Sequence, residues 1–405
     1  MAYEKTLSGV RICDFSWAMA GPAATRALAD FGATVVRIEA TMRYDAARSS
    51  PPFRNNEAKL ENSAMWGTLN AGKLGIALDL GRPSARRVAV DLVRWAGVCV
   101  ESFAPGTMAK WGLDYESLRR VRPGLIMVSS SLMGQDGPMA DYAGWGFMGA
   151  AMAGFHGLAG WPDRAPSGPF HSYTDYVVPR ITAIALLAAL DYRRETGRGQ
   201  YIDFSQIEAA MHFLTPALLD YSVNGHAQTR VGNRDLNFAP HGVYPCAGND
   251  QWIAVVCENE AQWQALCGVL QLRELEHDSR FISAAERLAH AEELDRIVAR
   301  WTSTMERYHA ESLLQAAGVP ASAVQNSPEL SRDPQLAHRG HFVEIPHPVH
   351  GTTVVESTAI NLSLTPGTVS RAAPTQGGDT HQILKDILGY SEGQITELTA
   401  DGALG

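Results

Sequence analysis

Several features that a chain of 405 residues often carries are missing here, and each absence removes a class of function. There is no long basic run. Arg86-Arg87 and Arg119-Arg120 are isolated pairs that read as solvated helix faces, and the net charge is -9, so no stripe of cations exists to hold a nucleic-acid backbone. Cysteine is sparse and odd in number. Cys13, Cys99, Cys246, Cys257 and Cys267 show neither C-x-x-C spacing nor a histidine at ligand spacing. This speaks against a metal module or a disulfide framework and predicts reduced, mostly buried thiols of a cytoplasmic protein. The opening Met1-Ala-Tyr-Glu-Lys5 lacks the basic-then-apolar layout of a signal peptide, so export is not expected. Repeats and low-complexity tracts are absent as well.

What is present is the composition of an ordinary globular protein, 45% hydrophobic and 19% charged, at a length that predicts two domains. Val10–Phe15 and Thr34–Glu39 read as short buried strands on either side of a helix that opens at Ala20-Gly-Pro-Ala-Ala-Thr25. Strand, glycine turn, helix and strand within about thirty residues make a βαβ unit with a right-handed crossover and a parallel sheet. Gly21 in that turn falls far short of a dinucleotide fingerprint. Residues 43–62 are polar and proline-containing, as a functional loop would be. Beyond them Gly75–Leu80, Val98–Glu101 and Leu125–Ser130 continue the strands, with an amphipathic helix over Pro83–Trp95. Ligands of such sheets sit beyond the carboxyl ends of the strands, which places Ser102, Phe103 and Ala104 at the crevice. The predicted fold class is therefore α/β: a Rossmann-like parallel-sheet large domain over 1–224, a smaller α+β domain over 225–330, and a return to the large domain over 331–405. In the small domain Gly242–Pro245 and Trp252–Val256 read as a hairpin, followed by helices over Glu260–Leu270, Ala285–Trp301 and Tyr308–Ala317.

Between Met133 and Phe170 glycine and aromatic residues concentrate, for close helix packing, for a substrate pocket, or for both. This segment delivers the chain to His171-Ser-Tyr-Thr-Asp-Tyr176 and the apolar run Val177–Leu190. The run is apolar nearly all round, which predicts a buried helix, and it is too short and too closely followed by Asp191 and Arg193-Arg194 to span a bilayer. Asp175 stands at the helix mouth. By itself it reads as readily as an N-cap as a reactive carboxylate, with Pro179 in the first turn.

In order and spacing, several pieces together resemble the family III CoA-transferases, the group of formyl-CoA, carnitine and succinyl-CoA-using enzymes. They are Ala20-Gly-Pro with Ala29-Asp-Phe-Gly-Ala33 and Arg37-Ile-Glu39; Asn70-Ala-Gly-Lys73 with Ala77-Leu-Asp-Leu80; Val100-Glu-Ser-Phe103 with Pro105-Gly106; Gly134-Gln-Asp-Gly-Pro138; and Asp175 ahead of Leu187-Ala-Ala-Leu190 and Thr196-Gly-Arg-Gly-Gln200. The resemblance covers almost the whole chain. It implies an interlocked dimer, a CoA thioester as substrate, no metal or redox cofactor, and Asp175 as a nucleophile that passes through an anhydride to an aspartyl-CoA thioester. Carried over residue by residue, it puts Ala18 and Ala20 by the pantetheine and Leu78, Ser102, Phe103 and Lys110 by the nucleotide. Lys110 also reads as an ordinary surface lysine. Met19, Ala40 and Gly81 replace a glutamine, an arginine and a lysine of the formyl-CoA type, with Arg43 and Arg82 near enough to restore charge. That departure speaks against formyl transfer.

The resemblance extends to α-methylacyl-CoA racemases, which add a histidine where this chain has Trp145. A tryptophan cannot shuttle a proton from an α-carbon, so racemisation is the second reading and a catalytically idle partner subunit the third. Met19, Trp145 and His241 are the candidate substrate-pocket residues. The loop Ala239-Pro-His241 is a candidate oxyanion loop, although a structural hydrogen bond suits His241 better. Trp145, with Phe147, Phe155 and Trp161 close in sequence, points to a bulky acyl group and to the succinyl-CoA:benzylsuccinate type of transferase. That type is built from two related subunits, of which this chain would be the catalytic one.

Overall fold

Strands β1 (Arg11–Asp14), β2 (Thr34–Glu39), β3 (Leu74–Ala77), β4 (Val98–Glu101), β5 (Ile126–Ser131) and β6 (Tyr201–Ser205) form one sheet in the order β3-β2-β1-β4-β5-β6. Every neighbouring pair in it is parallel. The computed structural model describes residues 5–170 and 172–405; His171 and the first four residues lie outside the described residues. The inner strands are largely apolar on both faces because both are covered, whereas the edge strand β6 exposes Tyr201 and Asp203. Ile12, Val35, Val98, Val100, Ile126 and Val128 join one core, with helix α1 (Ala20–Asp30) and the long helix Tyr173–Thr196. Their neighbours Cys13, Val36, Cys99 and Met127 face a second core under the helix Pro83–Ala96 and the C-terminal segment. All five cysteines are buried and unpaired.

The chain divides into two compact units. The first takes the residues up to Phe155, Gly168–Gly225 and Pro334–Gly405; the second takes His156–Ser167 and His226–Asp333. Within the second, β7 (His241–Pro245), β8 (Trp252–Val256) and β9 (Ala321–Ala323) form an antiparallel sheet over their own core, which includes Trp263, Phe281, Leu294 and Leu314. The segment His156–Ser167 is fastened there by Arg230 on the Trp161 carbonyl and by Gly232 on that of Gly160. The C-terminal part of the first unit adds the hairpin β10 (Phe342–His347) and β11 (Gly351–Glu356).

Several local expectations are corrected. The helix expected over Val177–Leu190 runs from Tyr173 to Thr196, so Pro179 lies inside it rather than in its first turn. It is not buried all round: Ile184 is 64% exposed and Leu187 is also exposed. At 24 residues it is long and apolar enough to cross a membrane by length and composition, yet one face packs on α1 in the sheet's core. After β6 the chain forms Gln206–Met211, a short 3-10 turn over His212–Leu214, and Thr215–Asn224, with Pro216 at the restart. The helix expected over Ala285–Trp301 breaks at His290. Glu392–Ala400 adds a last helix that the pattern did not suggest.

Candidate active site

The strand order changes direction between β1 and β4, and the loops that leave their carboxyl ends open a crevice, as expected of this topology. The loops are tied together there. Ser102 Oγ accepts from the Trp17 N–H at 2.8 Å, Trp17 and Phe103 rings lie 6.2 Å apart, and Phe103 packs edge-on against Trp111 at 5.4 Å. Glu101, at the end of β4, accepts from the Phe103 N–H at 2.7 Å and so holds the loop from below. Burial pushes the Glu101 carboxyl up to about 7. Two cavities share Trp17, Phe103 and Ala104. One, of about 510 Å³, runs over Leu78, Ala40, Arg43 and Gly81; the other, of about 420 Å³, reaches Asp175.

Asp175 sits in the first turn of the long helix, but no side chain caps that helix, so the N-cap reading does not hold. Its backbone N–H bonds to the Ser172 carbonyl at 2.9 Å, leaving the carboxylate to face the cavity. It is 9% exposed and has no cation partner among the described residues. Burial pushes its carboxyl up to about 6, against the pull of a hydrogen bond from the Gly146 backbone. Gly146 also receives the Thr174 hydroxyl on its carbonyl at 3.1 Å. A Cβ at Gly146 would collide with the Asp175 carboxylate, and one at Gly149 would meet Leu132 and Thr174. Gly144, Gly146 and Gly149 have the spacing of a phosphate-binding fingerprint, but they follow no strand of a βαβ unit. Their use here is close approach, which joins the packing and pocket readings of this stretch.

A buried set of ion pairs supports the opposite wall. Arg37 meets Asp45 at 2.6 Å, Arg48 meets Glu39 at 2.8 Å and Glu61 at 2.9 Å, and Lys73 meets Asp14 at 3.0 Å. Burial lowers the Lys73 ammonium to about 8, with Asp14 opposing the shift. Asp45 also accepts from the Ala18 N–H at 3.0 Å. Ala18 has φ +61°, a left-handed conformation that costs a non-glycine residue energy and is held by this contact. The polar loop 43–62 is thus partly a buried charge layer. Alternating patterns do not reveal such a layer, because its charges are satisfied by residues distant in sequence.

Of the residues singled out from the sequence, Ala18, Met19, Ala20, Ser102, Phe103, Ala104, Trp145 and Asp175 line the smaller cavity; Arg43, Leu78, Phe103 and Ala104 line the larger. Trp145 is 60% exposed, and Phe147, Phe155 and Trp161 do not line the Asp175 cavity. Phe155 is instead buried in the core against Tyr173, and Trp161 belongs to the second unit. Arg82 lines neither cavity and pairs with Asp79 at 3.8 Å, while Lys110 ends the short helix Thr107–Lys110 with its side chain in solvent. His241 lies in the second unit, where its Nδ1 bonds to the Asn233 carbonyl at 2.7 Å and its ring lines a cavity of about 750 Å³. Sequence reasoning missed Trp17, Ser130, Ser131, Tyr142 and Gln206 on the Asp175 cavity. The signal was available: Trp17 lies in the loop after β1, Ser130 and Ser131 end β5, and Gln206 follows β6, all at the carboxyl edge of the sheet.

The profile of CoA-transferase family III matches residues 7–380, and the chain belongs to that family. It is a CoA-transferase. Over 396 residues it is 31% identical to the succinyl-CoA–D-citramalate CoA-transferase of Chloroflexus aurantiacus, covering 98% of this chain and 97% of that one. Over 385 residues it is 31% identical to the succinate–glutarate CoA-transferase of Agrobacterium fabrum, covering 94% and 95% respectively. A CAIB/BAIF family protein from Brucella suis has the same fold in the crystal, with a TM-score of 0.87 and 28% identity over 95% of this chain and 100% of that one.

Proposed function

We propose that this chain moves CoA from an acyl-CoA, succinyl-CoA first among donors, to a free carboxylic acid through an aspartyl-CoA thioester on Asp175. The observation that carries this reading is the Asp175 carboxylate itself: buried, without a cation partner among the described residues, and set in a cavity that shares Trp17, Phe103 and Ala104 with a second one. A desolvated carboxylate is a better nucleophile than a hydrated one, and above pH 6 it is ionised. An Asp175 oxygen attacks the thioester carbonyl. The C–S bond breaks with its electron pair on sulfur, leaving a mixed anhydride and a CoA thiolate. The thiolate attacks Asp175 Cγ, releases the donor acid as its carboxylate, and leaves the thioester on the enzyme. An acceptor carboxylate then attacks that carbon, expels the thiolate, and is attacked by it in turn, which restores Asp175. The Gly146 N–H, already on the carboxylate, is placed to bear charge that develops there.

The reading carries with it a cytoplasmic enzyme without a permanent cofactor, working as a homodimer or with a related subunit. Trp145 and Tyr142 on the cavity wall favour an aromatic acceptor of the benzylsuccinate kind as a second reading of the acceptor. The test is mass spectrometry of the intact protein after incubation with succinyl-CoA, with peptide mapping after hydroxylamine trapping. A CoA or acyl adduct on Asp175, lost in Asp175→Ala, is expected. Unchanged turnover in Asp175→Ala would sink the mechanism, and α-proton exchange in deuterium oxide without an adduct would point to the racemase instead.

A further inference from the structure

The Asp175 cavity has a polar wall that the transfer chemistry does not use. Ser130 and Ser131 close β5, and Gln206 follows β6; the sheet register pairs Ser131 with Ser205, so the three residues meet at one corner of the sheet's carboxyl edge. All three line the cavity. Ser130 Oγ, Ser131 Oγ and Gln206 Oε1 are buried and have no hydrogen-bond partner among the described residues, with Ser130 1% and Gln206 8% exposed. Each buried polar atom left unmatched is unfavourable, and native proteins keep few of them. Three in one wall of a substrate cavity describe a site complementary to something that is not part of the chain.

The donor and acceptor inventory says what that is. Gln206 Oε1 can only accept, whereas the two serine hydroxyls can donate or accept. An ionised carboxylate would satisfy the serines but has no hydrogen for Gln206, and a methylene or an aromatic edge would satisfy none of them. Among the described residues lining this cavity there is no Lys or Arg, while Asp141 and Asp175 are both there, so a second anionic group finds no counter-charge on this wall. An alcohol supplies what is missing, since it donates once and accepts twice.

We infer that Ser130, Ser131 and Gln206 recognise a hydroxyl group on the acyl chain of the acceptor, so that the preferred acceptors are hydroxycarboxylic acids. The inference rests on the transferase reading above and narrows its substrate class. A site built to hydrogen-bond a hydroxyl discriminates strongly against the analogue lacking it, because its own polar atoms are then left buried and unpaired. The test compares acceptor pairs that differ in that group alone, 2-hydroxyglutarate against glutarate and citramalate against methylsuccinate, with benzylsuccinate alongside. The quantity read is the ratio of kcat/KM within each pair, in the wild type and in Gln206→Leu and Ser130→Ala. The wild type is expected to favour the hydroxylated member, and each variant to cut that ratio at least tenfold. Far-UV circular dichroism and thermal unfolding of the same samples report that each variant is folded, and the Asp175 adduct from succinyl-CoA is measured on the wild type. Two results would overturn the inference while leaving the transferase intact: a wild type that forms the adduct but shows no hydroxyl preference, and a ratio that survives both substitutions. A wild type that forms no adduct with any donor would overturn the transferase reading itself.

Discussion

Asp175 combines two properties that ordinarily conflict, since a nucleophile must be ionised and a buried carboxyl resists ionisation. With burial pushing it up to about 6, the charged form dominates at neutral pH but at a cost to the fold. Its folded pKa lies above the ordinary value of 3.8, so its contribution to stability is fully present below pH 3.8 and is lost as pH rises through about 6. Two outcomes follow. The kcat/KM for transfer should fall about tenfold per unit below pH 6, as the free enzyme's nucleophile protonates. Asp175→Asn should abolish transfer yet raise the unfolding free energy at pH 8 by on the order of 2 kcal/mol, with the gain shrinking toward pH 4. Urea unfolding across that pH range measures it, and a variant less stable than the wild type at pH 8 would contradict the assignment. Glycine at 146 belongs to the same balance, because any side chain there would displace the carboxylate.

At the level of elements, the loop between β1 and α1 is held from the side rather than by its own sequence. Asp45 joins the buried Arg37 guanidinium to the N–H of Ala18, so one carboxylate neutralises a charge and pins a left-handed residue on the cavity wall. Removing one partner of a fully buried pair leaves the other charge uncompensated, which typically costs about 3–5 kcal/mol. Asp45→Ala is therefore expected to lose about 3 kcal/mol in denaturant unfolding and to raise the KM for the CoA donor more than it lowers kcat, since Ala18 shapes the binding wall. A loss below about 1 kcal/mol would show that the pair is not a support of this loop.

At the scale of the whole molecule, the long helix and Thr215–Asn224 present exposed apolar side chains: Ile184 and Leu187 on the first, and Leu218, Leu219, Tyr221 and Val223 on the second. A surface of this kind calls for a protein partner. Sedimentation should give a particle of twice the 43.8 kDa chain mass, and Ile184→Asp combined with Leu219→Asp should shift it toward a single chain. A wild type that stays at 43.8 kDa at micromolar concentration would sink the homodimer, and one that assembles only with a related subunit would establish the heteromer.

Much of this was legible along the chain. The run of short apolar strands separated by turns determined a parallel sheet, because strands buried on both faces are mostly apolar rather than alternating, and β2 and β4 keep their expected bounds. That Asp175 adjoins an apolar helix was legible in the same way, although the helix starts at Tyr173 and takes Asp175 into its first turn. What the tertiary structure decided were relations between distant residues. Arg43 reaches the larger cavity while Arg82 turns to Asp79. Of the aromatic cluster only Trp145 stands on the cavity, because Phe155 fills the core and Trp161 joins the other unit. The apolar helix is covered on one face only. Hydrophobicity in a sequence states that a surface should be covered, and only the assembled fold shows whether the same chain covers it. The unpartnered atoms of Ser130, Ser131 and Gln206 belong to that second kind of information, since whether a polar atom has a partner depends on everything packed around it.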